Sequence, residues 1–235
     1  MELLEALKSF SACDVSDGLL NFSKVDDGGN FPDFTQRSGP DSTVVGPAYT
    51  VLFAPADDPR PEVNYIDNVP EGAVMVMALD MSLQRPIFHN STITQAIYGG
   101  LMAARAQYQG SVGTVVFGRV RDLGEHQELN QPLFSYGVGT CAPKKAVKPV
   151  GVNIPLTILF QDETTRVIEP QDVIVADANG IVKIPRKVLE SDGERFVTYI
   201  KKQIEADTLV MQDIKNGKPA KAAQKERRAI LKDYL

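Results

Sequence analysis

The chain has little of what most cofactor and metal sites are built from. Two cysteines, Cys13 and Cys141, and two histidines, His89 and His126, are spread over 235 residues. No spaced Cys/His cluster exists, which argues against structural zinc and a disulfide scaffold and fits a reducing compartment. Long apolar runs are absent too, and nothing approaches the ~20 apolar residues of a membrane span. The first ten residues carry Glu2, Glu5 and Lys8 and hold no apolar signal-peptide core. A cytoplasmic protein without a membrane partner is expected. With 25 basic and 30 acidic residues the net charge is −5, so the surface does not suggest nucleic-acid binding. The phosphate-loop, H-E-x-x-H and G-x-S-x-G patterns are missing. Gly110 and Gly113 follow a helical stretch rather than a strand, which speaks against a dinucleotide fingerprint and disfavours an S-adenosylmethionine methyltransferase. The two histidines are not spaced to support a Ser-His-Asp triad. Neither cysteine has a nucleophile signature, and buried cysteine is usually inert packing. Lys183, inside I-V-K-I-P, is the one Schiff-base candidate, and an outward-facing position is expected for it.

What is present is an ordinary globular composition, 43% hydrophobic and 23% charged, in a chain long enough to bury a real core. Apolar residues at Leu3, Leu4, Leu7 and Phe10 have helical spacing. Ser11 or Asp14 suits the cap of a second short helix; Asp14 and Asp17 suit ligands less well than caps. Residues 22–42, rich in Gly, Pro, Asp and Ser, read as a loop with locally packed phenylalanines. Strands are expected at 43–53, with Gly46-Pro47 suggesting an edge or bulge, and at 73–79, 114–117, 133–138, 150–160 (broken by Pro155) and 165–170. A loop containing His89 is expected at 80–90. Asn179-Gly180 marks a hairpin within 173–185. From 188 onward the pattern is helical, with Phe196, Ile200, Ile204 and Leu209 on one face, and Asn216 to Pro219 ends that helix. The tail, 221–235, interleaves basic residues with Glu226 and Asp233. It reads as a solvated helix whose Ile230, Leu231 and Leu235 contact a neighbouring subunit. The whole is one α/β domain, 1–235, with a layered strand core and a C-terminal helical extension from about 188.

The chain is organised around 94–122, T-Q-A-I-Y-G-G-L-M-A-A-R-A-Q-Y-Q-G-S-V-G-T-V-V-F-G-R-V-R-D. Gly99-Gly100 permits close backbone approach. Residues 101–108 are good helix formers. The run 114–117 reads as a strand buried on both faces, followed by Arg119, Arg121 and Asp122. Ligands in α/β folds sit where strands end and helices begin, and a helix N-terminus favours an anion. One segment can thus supply amide donors and a guanidinium for a carboxylate, and an oxygen ligand, Asp122, for a metal. A surface ion pair between Arg121 and Asp122, worth little, is the plainer alternative.

The motifs Gly99-Gly100-Leu101-Met102, Arg105-Ala106, Gly110, Gly113-Thr-Val-Val and Val120-Arg121-Asp122 resemble one family. It is typified by the regulator of ribonuclease E activity A and by 4-hydroxy-4-methyl-2-oxoglutarate aldolase. C-D-V-S-D-G-L-L (13–20) and D-V-I-V-A-D-A-N-G-I-V-K-I-P (172–185) agree with it. The similarity covers nearly the whole chain, and the loop F-A-P-A-D-D-P-R-P-E-V-N-Y-I-D and the tail resemble the fungal branch. The resemblance implies a swivelling β/β/α-type fold, rings of three subunits that can pair into hexamers, and a metal-dependent pyruvate aldolase with oxaloacetate decarboxylase activity. It implies that Arg121 binds the pyruvyl carboxylate of a keto acid substrate. Asp122 holds Mg²⁺ or Mn²⁺, and the amides around Gly99, Gly100, Leu101 and Met102 bind the same substrate end. Gly100 stands where the bacterial aldolases carry an acid, so a metal shell or proton relay using that acid must be rebuilt here. The resemblance also implies a glutamate supplied by the C-terminal region of the neighbouring subunit, for which Glu205 and Asp207 are the candidates here. The alternative within the resemblance is a non-catalytic regulator that covers a ribonuclease.

Overall fold

The computed structural model describes residues 2–85 and 91–235. His89 lies outside the described residues. Two short helices, α1 (Glu2–Leu7) and α2 (Ala12–Asn21), precede the strands. Ser11 caps α2 in a capping box with Asp14, whose carboxylate accepts from the Ser11 amide at 3.0 Å. Asp14 is therefore a capping residue, as the commoner use of Asp predicts.

The strands are β1 (Asn30–Phe31), β2 (Thr35–Ser38), β3 (Val44–Pro55), β4 (Val74–Leu79), β5 (Gly113–Val120), β6 (Leu133–Val138), β7 (Val147–Val152), β8 (Leu156–Leu159), β9 (Thr165–Ile168), β10 (Val173–Asp177) and β11 (Gly180–Ile184). One mixed sheet runs β1-β11-β10-β3-β4-β5-β6-β2, with β7 also on β3; β8 and β9 form a separate hairpin. β3, β4, β5 and β6 are parallel neighbours. Helix α3 (Gly100–Tyr108) leads into β5, and α4 (Leu123–Leu129) follows it. A long helix α5 (Arg186–Lys215), helix α6 (Ala220–Arg227) and a 3₁₀ segment close the chain. Among the described residues no helix is long and apolar enough to cross a membrane.

The α/β class and the helical ends agree with the sequence; four local expectations do not. Residues 22–42 hold both terminal strands of the sheet, β1 on β11 and β2 on β6. Their phenylalanines pack at long range, Phe31 and Phe34 meeting Phe117 edge-on at 5.4 and 4.9 Å. β3 is central rather than an edge. It runs antiparallel to β10 through Pro47 and parallel to β4 from Ala48, so the missing N–H of proline falls where one partner hands over to the next. β5 extends to Val120, which places Arg119 inside the strand, donating to the Val138 carbonyl at 3.0 Å. On α5, Phe196, Ile200, Gln203, Ala206 and Val210 are buried, while Leu209 is 42% exposed.

The apolar side chains fall into three clusters. One lies between the sheet and α3, with Tyr49, Phe53, Met75, Met77 and Tyr98. A second covers the other face, through Phe31, Phe117, Phe134 and Leu156. The third docks α1, α2 and α5 on β10 and β11. The tail folds onto its own chain. Leu231 and Ala223 are buried while Ile230 and Leu235 stay half-exposed. Arg227 and Arg228 pair in bidentate fashion with Asp213 and Asp207 of α5.

Candidate active site

Two parallel strands and two helix starts meet at the carboxyl end of the sheet. β5 ends at Val120, and Arg121 and Asp122 follow at once. Asp122 sits in the left-handed region, at φ 59° and ψ 45°, a conformation that Asp tolerates better than most residues. The turn re-aims the chain so that both side chains border one cleft. That cleft, about 480 Å³, is also lined by Phe53, Tyr65, Ile97, Tyr98, Gly99, Leu101, Met102, Lys144 and Lys148. The segment singled out in the sequence therefore does converge on one opening, with the wall opposite supplied by the loop after β3 and the loop before β7.

The glycines are required by space. A Cβ on Gly99 would lie 2.5 Å from Oδ2 of Asp122 and 3.1 Å from both Cγ and Nε of Arg121. Real Cβ atoms need more room than that, so the glycine lets Arg121 and Asp122 lie directly over the helix start. Gly99 precedes α3 and gives it no side-chain cap. The cap is Asp122 instead, whose Oδ2 accepts from the Gly100 amide at 3.2 Å, a favourable place for a negative charge. The Met102 amide donates to the Gly99 carbonyl. Of the amides expected to bind substrate, Gly100 and Met102 are thus committed within the protein, and Leu101 is the first-turn amide left for a ligand.

Arg121 Nε lies 3.4 Å from Asp122 Oδ2, with both side chains about one-third exposed. Only the inner nitrogen makes that contact. The two outer nitrogens of the guanidinium have no partner among the described residues, so a planar, bidentate donor faces the opening.

Glu125 is the residue that the sequence reading missed. A Cβ on Gly100 would meet its Cβ at 2.6 Å and its Cδ at 2.7 Å. The glutamate on the first turn of α4 therefore fills the space that a side chain on Gly100 would take. An acid is restored beside Asp122 from the next helix. Its signal was the i, i+3 spacing of Asp122 and Glu125 across a helix start, which puts both on one face.

His126 is buried and stacks on Tyr98 with ring centroids 5.4 Å apart. Burial pushes its pKa down, against the opposing pull of the Arg121 carbonyl and the Asp122 charge. It backs the site without lining it. The remaining candidates lie elsewhere. Lys183 is half-buried rather than outward, donating to the Val167 carbonyl at 3.1 Å. Glu205 pairs with Lys202 at 2.8 Å, and Asp207 is held by Arg228. Cys13 and Cys141 are exposed thiols. Cys141 and Thr94 line a second depression that Arg121 and Asp122 also border.

Among the described residues no cluster of three or more His, Cys, Asp or Glu side chains is gathered to hold a metal. Two carboxylates, Asp122 and Glu125, converge on the adjacent glycines. Such a pair fits Mg²⁺ or Mn²⁺, which take hard oxygen ligands and keep water or substrate oxygens in the rest of the shell.

A family model described as RraA-like, Aldolase/RraA, matches residues 12–183. The chain belongs to the RraA-like family. Within residues 12–183 lie the whole cleft rim and the Gly99–Glu125 constellation. The chain is 30% identical over 190 residues to the protein DlpA of Legionella pneumophila, covering 79% of this chain and 26% of that one. It is 31% identical over 144 residues to a Halalkalibacterium halodurans protein provisionally named 4-hydroxy-4-methyl-2-oxoglutarate aldolase, covering 61% of this chain and 60% of that one. It thus spans about a quarter and three-fifths of these two relatives. An uncharacterized protein from Pseudomonas syringae has the same fold, with a TM-score of 0.72 and 26% identity over 95% of this chain and 96% of that one. A Streptomyces coelicolor member of the RraA protein family has the same mixed α/β fold, with a TM-score of 0.64 and 20% identity over 88% of this chain and 95% of that one.

Proposed function

We propose that the protein is a divalent-metal-dependent pyruvate aldolase that cleaves 4-hydroxy-4-methyl-2-oxoglutarate-type acids and decarboxylates oxaloacetate through a shared enolate. The observation that supports this reading best is the glycine-only space at positions 99 and 100. It lets Arg121 and Asp122 border the cleft over a helix N-terminus and leaves room for Glu125 against Gly100.

The outer nitrogens of Arg121 and the Leu101 amide bind and orient the substrate carboxylate. In the aldol substrate the C3–C4 bond breaks, its electron pair stays on C3, and the C4 hydroxyl loses its proton to become a carbonyl. In oxaloacetate the same bond breaks and CO₂ leaves. Both routes give the pyruvate enolate, which becomes pyruvate on protonation at C3. Arg121 and the first turn of α3 place positive potential where the negative charge develops. Asp122 and Glu125 would hold Mg²⁺ or Mn²⁺. When bound, that ion acts as a Lewis acid toward the keto oxygen. A ring of three subunits, or two such rings paired, is part of the proposal. It is supported by Leu101 and Tyr108, 75% and 80% exposed one face-repeat apart on α3 beside the cleft.

The test is pyruvate release from oxaloacetate and from 4-hydroxy-4-methyl-2-oxoglutarate, in excess EDTA and after adding back Mg²⁺ or Mn²⁺. The metal-only decay of oxaloacetate is subtracted. Turnover that stops with EDTA and returns with metal is expected. No turnover under any of these conditions would overturn the proposal and favour a partner-covering regulator.

A further inference from the structure

Besides its charged groups, Arg121, Asp122, Glu62, Lys144 and Lys148, the cleft is lined by a neutral hydroxyl-bearing side chain, Tyr65. Tyr65 lies in the loop between β3 and β4, is 9% exposed, and lines the cleft together with Arg121 and Asp122. It is fixed from two sides. Its ring meets Phe53 edge-on at 5.5 Å, and its carbonyl accepts from the Tyr49 hydroxyl at 2.9 Å. Phe53 and Tyr49 both belong to β3. The other two tyrosines of this core have engaged hydroxyls, Tyr49 on the Tyr65 carbonyl and Tyr98 on Thr114 Oγ1 at 3.3 Å. The Tyr65 hydroxyl has no hydrogen-bond partner among the described residues, and it is not sealed from solvent. Tyr65 lines the cleft, so this hydroxyl is the hydrogen-bonding group that its side chain can offer a ligand there. A ligand oxygen placed there gains a donor that the protein does not use.

Tyr65 and Arg121 reach the same cleft from different segments, the loop between β3 and β4 and the turn after β5. A keto acid anchored by its carboxylate at Arg121 extends toward Tyr65 with the carbons beyond the scissile bond.

We propose that Tyr65 is a specificity residue whose hydroxyl donates a hydrogen bond to an oxygen carried on C4 of the substrate. The chain then selects 2-keto acids with a hydroxyl or carboxylate at that carbon. Burial keeps the phenol protonated far above neutral pH, so it is a donor throughout the working range. The assignment rests on the aldolase reading.

The experiment compares Tyr65→Phe with the unaltered protein in Mg²⁺ by two readouts. One is kcat/KM for pyruvate release from oxaloacetate and 4-hydroxy-4-methyl-2-oxoglutarate. The other is exchange of pyruvate methyl protons with deuterium, followed by NMR, which needs the enolate and no C4 group. The expected result is a loss of about tenfold in both cleavage reactions, with exchange within twofold and an unchanged Tm. Equal losses in cleavage and exchange would overturn the assignment by placing Tyr65 at the pyruvyl end or in the fold. Cleavage at the unaltered rate would also overturn it. The unaltered protein separates the two ideas: exchange there sustains the aldolase reading whatever Tyr65→Phe does, and absence of both exchange and release overturns that reading itself.

Discussion

Adding one methyl group at Gly99 tests whether the glycine pair exists to seat Arg121 and Asp122. In Gly99→Ala the new Cβ falls 2.5 Å from Asp122 Oδ2 and 3.1 Å from Arg121 Cγ and Nε. Ordinary carbon–oxygen contact begins at ~3.2–3.4 Å, so Asp122 must retreat by roughly 0.7–0.9 Å, and Arg121 by a few tenths, from positions that overlie the helix start. Gly99 itself has an extended backbone, φ −148° and ψ 178°, which any residue adopts. The cost is therefore steric, about 1–3 kcal/mol of overpacking spread over two partly exposed side chains. Activity is more sensitive, because a misplacement near 1 Å costs ~10²-fold. The assay is kcat/KM for metal-dependent pyruvate release beside Tm. The expected result is a loss of about 100-fold with a Tm lower by only a few degrees. Gly124→Ala is the control. It is equally close in sequence to the site, in α4, yet a Cβ there meets nothing within 4 Å. Alanine there is expected to add about 0.4–1 kcal/mol of stability and leave kcat/KM within twofold. Full activity in Gly99→Ala, or equal losses in the two variants, would refute the reasoning.

Asp122→Asn keeps a residue that tolerates the left-handed backbone and removes the charge. Activity should fall more than 100-fold with Tm within about two degrees, and a variant retaining its metal-dependent turnover would remove Asp122 from the site. The C-terminal hairpin should be acid-sensitive. Arg227 and Lys218 hold the Asp213 carboxyl at about 2, below its ordinary 3.8. Because the folded-state value is depressed, the stabilisation is complete above the unfolded value and is lost as pH falls through about 2. Melting curves of the unaltered chain and Asp213→Asn between pH 5 and 2 should converge toward the acid end; parallel curves would show that this pair does not govern the hairpin.

Strong local signals were legible in the sequence. The Asn179-Gly180 turn joins β10 to β11 in register, and α5 stops at Asn216, because these positions carry their own backbone preferences. β1 and β2 were not legible, since strands of two and four residues are defined by the edges they join rather than by their composition. Pro47 misled for a related reason. A proline weakens one ladder, and the sequence does not reveal that β3 changes partner at that residue. The apolar spacing of Phe196, Ile200, Ile204 and Leu209 points to one face, whereas Gln203, Ala206 and Val210 are the buried residues there; a polar glutamine at a core position hides the true stripe.

The same limit applies to the site, with more consequence. Arg121, Asp122 and Gly99 could be named because they are contiguous with a glycine pair and a strand end. Gly100 looked like a loss, an acid replaced by nothing. In three dimensions the position is filled, because Glu125 reaches across from α4 into the space that a Gly100 side chain would occupy. An aspartate at position 100 and a glutamate at position 125 would exclude each other there, so Gly100 leaves the room that Glu125 fills. Each residue taken alone is uninformative: glycine at a helix start is common, and an exposed glutamate on a short helix is the ordinary way to solvate it. Their pairing carries the information, and it runs between the first residue of α3 and the first turn of α4, with all of β5 between them in sequence. It follows that Gly100→Asp should lower Tm by displacing Glu125, and that shortening Glu125 at the same time should restore it.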